Sequence, residues 1–128
     1  MHGNFHMLNA LITPDPPVRV TAIVDWETST IGDPLLDLAG FCEIWCSVTP
    51  TGWPIRAEII ERYRIRRGLA AVPDLTYYEV LYNFRLAVLI EGSYQRSVRD
   101  PDRADRDDLG ERALWNMGRA AELLSSPS

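Results

Sequence analysis

The sequence predicts a mostly helical α+β domain: an amino-terminal loop, one β-hairpin and four helices. Three observations carry this. The β-branched run Val18–Val24 and the short apolar run Asn9–Thr13 flank Pro14-Asp15-Pro16-Pro17, which reads as strand, turn, strand. Beyond Asp33, apolar residues recur at helical spacing in four blocks, each with its own start or stop signal. The stretches between those blocks, such as Thr49–Pro54 and Arg99–Asp108, are proline-bearing and largely polar.

Residues 1–8 have no apolar period and read as a loop, and the hairpin that follows ends at Asp25. Asp33-Pro34 opens the first helix, because an aspartate accepts free backbone N–H groups and proline fits a first turn. Its continuation, Leu35 to Cys46, is apolar on nearly all sides and predicts a buried helix, with Asp37 as a carboxylate that must find donors. Ile55–Arg67 predicts a second helix with Ile55, Ile59, Ile60 and Tyr63 on one side, stopped by Gly68. Thr76 and Glu79 form a capping box for a long helix to about Arg96, with Leu81, Phe84, Ala87 and Val88 as its stripe. Arg99–Asp108 reads as a solvated linker. Asp108 and Glu111 repeat the cap signal for a last helix striped by Leu109, Ala113, Met117 and Leu124, and the Ser-Ser-Pro-Ser tail frays.

The 128 residues amount to one domain, and an apolar content of 46% suits a folded core. A net charge of -5 argues against a nucleic-acid partner, which needs a basic face. The apolar run Leu86–Ile90 is far shorter than the roughly 20 residues of a membrane span, and no charged leader precedes an apolar stretch. Cys42 and Cys46 lie on one helical face; without further ligands they read as buried reduced thiols rather than a metal pair. A cytoplasmic protein fits these features. His2 and His6 share an i, i+4 spacing but lack a third ligand, which leaves a metal pair there a poor reading.

Chemistry is concentrated near the amino terminus. Phosphoryl transfer needs a group to orient the attacking hydroxyl, oxygen ligands for magnesium and a scaffold that fixes both. A loop of form H-x-D-x-x-x-x-N supplies the first and one ligand, and an aspartate after the next hairpin supplies the other. Here His2-Gly3-Asn4-Phe5-His6-Met7-Leu8-Asn9 is followed by the hairpin and by Asp25-Trp26-Glu27. The sequence resembles the aminoglycoside phosphotransferase and choline kinase family, with signatures H-G-D-F-H-x-x-N and I-x-D-W-E-x-x-x-x-G-D-P-x-x-D-L-A. The second is matched throughout Val24–Phe41, and Tyr77–Arg96 is similar to the branch of kinase-like domains associated with acyl-CoA dehydrogenases.

That resemblance implies a protein-kinase-like carboxy-terminal lobe over residues 1–128: catalytic loop and metal-binding hairpin in 1–27, helical part in 33–125. It implies magnesium and ATP as cofactors and a small hydroxylated substrate. It makes Asn9 and Asp25 the magnesium ligands, His2 a structural residue, Asp37 the support of the catalytic loop and Asp33 a helix cap. Asn4 falls at the catalytic-base position, where an amide can position a hydroxyl but cannot take its proton. Glu27 is given no chemistry. Tyr78, Glu79 and Arg85 are candidates for a substrate cleft, with core or surface duty equally open.

Two departures from the family shape the functional expectation. One is Asn4. The other is that the 128 residues contain no phosphate-covering loop and no lysine at all, so the nucleotide lobe is expected to be absent. The sequence-level reading is therefore a phosphotransferase-family domain that is inactive or impaired as this isolated chain. A truncated gene, a misplaced start codon or a half-kinase completed by a separate protein would each account for it. The alternative is a non-enzymatic, pseudokinase-like assembly module, completed by a second copy or by a separate nucleotide-lobe chain. An unrelated helical domain with an accidental motif match is a third reading.

Overall fold

The computed structural model, which describes residues 1–99 and 106–125, starts with the hairpin that the turn prolines dictate. Strand β1 (Ala10–Ile12) pairs antiparallel with β2 (Val20–Ile23). The pairs are Ala10 with Ile23, Leu11 with Ala22 and Ile12 with Val20, the register slipping by one residue after Leu11. Both strands are shorter than their apolar runs. Asn9 belongs to a 3-10 turn (Met7–Asn9), and Thr13 spends its hydroxyl on the N–H of Arg19 at 3.0 Å. A second 3-10 turn, Trp26–Thr28, follows Asp25.

Four helices complete the described chain: α1 (Leu35–Val48), α2 (Arg56–Arg67), α3 (Thr76–Val98) and α4 (Arg106–Ser125). Asp33 accepts the N–H of Leu35 at 2.9 Å, which satisfies one free donor at the start of α1. Leu35, Leu36, Leu38, Ala39 and Cys42 are buried. The expectation of burial along the whole helix fails beyond Cys42, for Cys46 and Val48 are exposed. There the aromatic residues of the helix pack on one another instead of on a core. For α2, the Glu58 carboxylate accepts the N–H of Ile55 at 2.9 Å, and Gly68 at φ 63° ends the helix by donating to Arg64 and Ile65. Ile59, Ile60 and Tyr63 are half-buried, but Ile55, expected on that face, is exposed.

Contacts divide the chain into two units, Met1–Leu75 and the residues from Thr76 onward. In the second, α3 and α4 pack along each other. Gly110 lets them close, since a Cβ there would stand 3.3 Å from the Tyr94 ring. The buried faces correct the expected stripes. On α3 they hold Tyr82, Asn83, Ala87, Ile90 and Ser97, while Phe84 and Val88 are about half exposed. On α4 they hold Ala113, Asn116 and Ala120, with Met117 and Leu124 exposed. Small and polar side chains occupy these faces because their polar atoms are satisfied locally: Asn83 donates to the Glu79 carbonyl at 2.9 Å, Asn116 to Arg112 at 2.7 Å and Ser97 to Tyr94 at 2.7 Å.

Helix α4 begins at Arg106, so Asp108 lies inside its first turn instead of capping it. Of the linker expected over Arg99–Asp108, residues 100–105 lie outside the described residues, as do 126–128 of the tail. Among the described residues no helix is long and apolar enough to cross a membrane.

Two glycine substitutions are expected to act in opposite directions. Gly68→Ala places a side chain in left-handed backbone and should lower the unfolding free energy by about 1 kcal/mol. Gly118→Ala, inside α4 with open space around the added methyl, should raise it by roughly 0.5–1 kcal/mol. Chemical denaturation followed by circular dichroism reads both.

Candidate functional site

The amino-terminal loop is held by one carboxylate. Asp37, in the first turn of α1, accepts the backbone N–H of His2 at 2.6 Å through one oxygen and that of Gly3 at 2.7 Å through the other. Gly3 has φ 86°, a left-handed backbone that a side chain would disfavour, and this turn aims both N–H groups the same way. Bonds to an ionised acceptor are short and roughly twice as strong as neutral ones. The charged end of Asp37 thus has its partners inside an otherwise apolar helix start.

His2 ties the loop to the hairpin. Its Nε2 lies 2.8 Å from the carbonyl oxygen of Val24, which can only accept, so Nε2 carries the hydrogen and Nδ1 is left to accept the N–H of Asn4 at 3.2 Å. The ring is buried, 4.5 Å from Trp26 and 5.9 Å from Phe5 between centroids. Val24 also donates its N–H to the Asn9 carbonyl at 2.9 Å, which sets the end of the loop beside the end of β2.

Those anchors bring Asn4, Asn9 and Asp25 into one cluster. Asp25 Oδ2 accepts Asn4 Nδ2 at 3.0 Å and Asn9 Nδ2 at 3.1 Å. The Asn9 amide also donates to the Asn4 carbonyl at 2.9 Å. Asp25 has φ 65°, ψ 53°, a left-handed conformation uncommon outside glycine, in which the chain turns from β2 into Trp26–Thr28. Asn9 is buried, whereas Asp25 is open to solvent. His2 and Asp37 stand behind this cluster as anchors. Asp33 caps α1, and Glu27 is exposed within the 3-10 turn. Tyr78, Glu79 and Arg85 lie on α3, in the second unit; Glu79 is buried.

His6 was legible only as a possible partner of His2, and the structure gives it other neighbours. Its Nε2 is 3.4 Å from Asn9 Nδ2, while Nδ1 is buried without a hydrogen-bond partner. Burial pushes its pKa below the ordinary 6.5; the nearby Asp25 carboxylate opposes that shift and His2 adds to it. The signal for its placement lay in the loop pattern, where it stands midway between Asn4 and Asn9.

Comparison with known proteins bears on family and fold. Residues 1–76 match the profile of the phosphotransferase enzyme family. The chain is 30% identical over 112 residues to acyl-CoA dehydrogenase family member 10 of Mus musculus, covering 77% of this chain and 10% of that protein. It is 34% identical over 109 residues to family member 11 of Homo sapiens, covering 75% of this chain and 14% of that one. The chain therefore spans only a small part of the length of the curated relatives it matches. A crystal structure from Ralstonia eutropha JMP134, described provisionally as an aminoglycoside phosphotransferase, superposes with a TM-score of 0.80 at 29% identity, over 95% of this chain and 41% of that one. The kinase-like fold and the likeness to domains associated with acyl-CoA dehydrogenases, both expected from the motifs, are matched.

Two measurements test the geometry. Asp37→Asn leaves one acceptor oxygen for two N–H groups and should cost about 2–3 kcal/mol of stability in urea denaturation. For His6, the folded pKa lies below the unfolded one, so the unfolded chain binds more protons in that window. Stability should fall as pH drops below about 6.5 and level off once the folded-state pKa is passed. His6→Gln should flatten that part of the profile.

Proposed function

Because the chain belongs to the phosphotransferase enzyme family, we propose that residues 1–27 form the catalytic loop and cation-holding hairpin of a domain that transfers the γ-phosphate of ATP to a hydroxyl of a small molecule. We infer further that Asn4 leaves this chain inactive or impaired. The observation that carries the reading is the convergence of Asn4 and Asn9 on Asp25 Oδ2, at 3.0 and 3.1 Å. Nucleotide binding is assigned to a second lobe, on this or another polypeptide, and the setting to the cytoplasm, where ATP is abundant and thiols such as Cys42 and Cys46 stay reduced.

The donor set suits magnesium. A carboxylate and an amide oxygen are hard ligands, and this ion is commonly held by one or two protein groups together with water and substrate phosphates. Asn9 presents Nδ2 to Asp25, and turning its amide about the last side-chain bond exposes Oδ1 instead. Magnesium bound by Asn9 and Asp25 would supply positive charge for the phosphates.

The protein's own groups do the rest. Asp37 and His2 fix the loop so that Asn4 and Asn9 keep their places. Asn4 Oδ1 can accept a hydrogen bond from the acceptor hydroxyl and aim it, and it cannot take the proton. Loss of a general base typically costs ~10²–10⁴-fold. Positioning survives that loss, and positioning dominates a loose phosphoryl-transfer transition state.

A second reading is favoured by the exposed apolar residues Leu11, Ile12, Val18 and Val20 on the hairpin. It makes the chain a non-enzymatic module that associates with another copy or with a nucleotide-lobe chain through that face.

One experiment separates the two. Manganese binding followed by electron paramagnetic resonance should be lost in Asp25→Ala, and, with the nucleotide lobe supplied, Asn4→Asp should raise phosphate transfer from ATP to hydroxyl acceptors by ~10²-fold or more. Binding unchanged in Asp25→Ala would overturn the cation assignment. Absence of transfer by Asn4→Asp, with association that grows with concentration, would favour the assembly reading.

A further inference from the structure

A cavity of about 920 Å³ opens between α1, the loop after it and α2, all within the first unit. One wall is a run of aromatic rings. Phe5 stacks on Phe41 at 5.6 Å and 28°, Phe41 on Trp45 at 5.5 Å and 21°, and Trp45 meets Trp53 edge-on at 5.6 Å. Trp45 is locked by donating its indole N–H to the Pro54 carbonyl at 2.8 Å, so this wall is rigid before anything binds. Faces of this kind suit a flat apolar body.

The opposite wall belongs to α2. Arg62 and Arg66 stand one helical turn apart on it, with Tyr63 between them. Neither arginine has an ion-pair partner among the described residues, whereas neighbouring Arg64 is committed to Glu61 at 2.7 Å and to the Leu69 carbonyl at 2.9 Å. One carboxylate, Glu58, lines the cavity against these two arginines, and one of its oxygens accepts the N–H of Ile55. In a chain of net charge -5, α2 carries five arginines against two glutamates, so its positive character is local. Aromatic faces alone would also attract a cation. Two unpaired guanidinium groups across the cavity select against one and match a carboxylate or phosphate in fork geometry.

The cavity ends at Phe5, one residue along the chain from the position proposed to orient the acceptor hydroxyl. Phe5, at the near end of the ring series, is next in sequence to Asn4, whose amide reaches Asp25. We propose that this cavity is the acceptor-substrate site and that it takes a flat, apolar organic anion, with its hydroxyl toward Asn4 and its anionic group on Arg62 and Arg66. The proposal rests on the phosphotransferase reading and names the substrate class for that same site.

The test compares three ligands that differ only at the end remote from the phenol: 3-(4-hydroxyphenyl)propanoate, its uncharged amide, and the cationic tyramine. Isothermal titration calorimetry on the intact chain should show the propanoate binding about tenfold tighter than either of the others. The double variant Arg62→Gln/Arg66→Gln should lose that advantage while binding the amide as before. Equal or tighter binding of tyramine, unchanged propanoate binding in the double variant, or no binding of any ligand would overturn the assignment. Arginine-dependent binding of the propanoate, together with manganese binding that survives Asp25→Ala, would uphold the anion-selective cavity and count against the phosphotransferase reading.

Discussion

The arrangement around the hairpin depends on a carboxylate that lies far from it in sequence. Asp37 belongs to a helix whose first turns are otherwise apolar, and it meets two backbone N–H groups more than thirty residues upstream. Each side needs the other. The charge is tolerable only because both oxygens are taken, and the loop keeps its shape only because its N–H groups have nowhere better to point. Once His2 and Gly3 are fixed, the imidazole can reach the Val24 carbonyl, and the ends of loop and hairpin come together.

The resulting cluster is electrostatically unusual for its family resemblance. A carboxylate at position 4 would face Asp25 as a like charge and would call for a cation between them. With Asn4, the amide donates to Asp25 Oδ2, and Asn9 adds a second donor to the same oxygen. One side-chain atom's difference therefore removes one of the two negative charges that a cation here would balance.

Much of the fold was legible because it is written in local chemistry. Prolines 14, 16 and 17 exclude regular structure, Asp33-Pro34 opens a helix and Gly68 closes one, and the structure follows each. The faces of α3 and α4 were misread for an equally physical reason. Periodicity finds large apolar side chains, while these helices bury alanine, serine and asparagine, residues that permit close approach and satisfy their own polar atoms. The ends of the strands were overextended because apolar runs do not record which residues a turn will claim. In the site, the motif order placed Asn4, Asn9 and Asp25 on neighbouring segments, but nothing in it revealed that both amides would turn their nitrogens toward the carboxylate. Nor is the aromatic run of Phe5, Phe41, Trp45 and Trp53 legible in the sequence, since the four are scattered along the chain and meet only in three dimensions.

The left-handed backbone of Asp25 has an evolutionary corollary. Asparagine and glycine are more at ease than aspartate at such dihedral angles, and each is a single nucleotide away in the genetic code. Random drift at this codon thus runs downhill in conformational energy, toward residues that cannot carry a negative charge. An acidic side chain standing there is held against the preference of its own backbone.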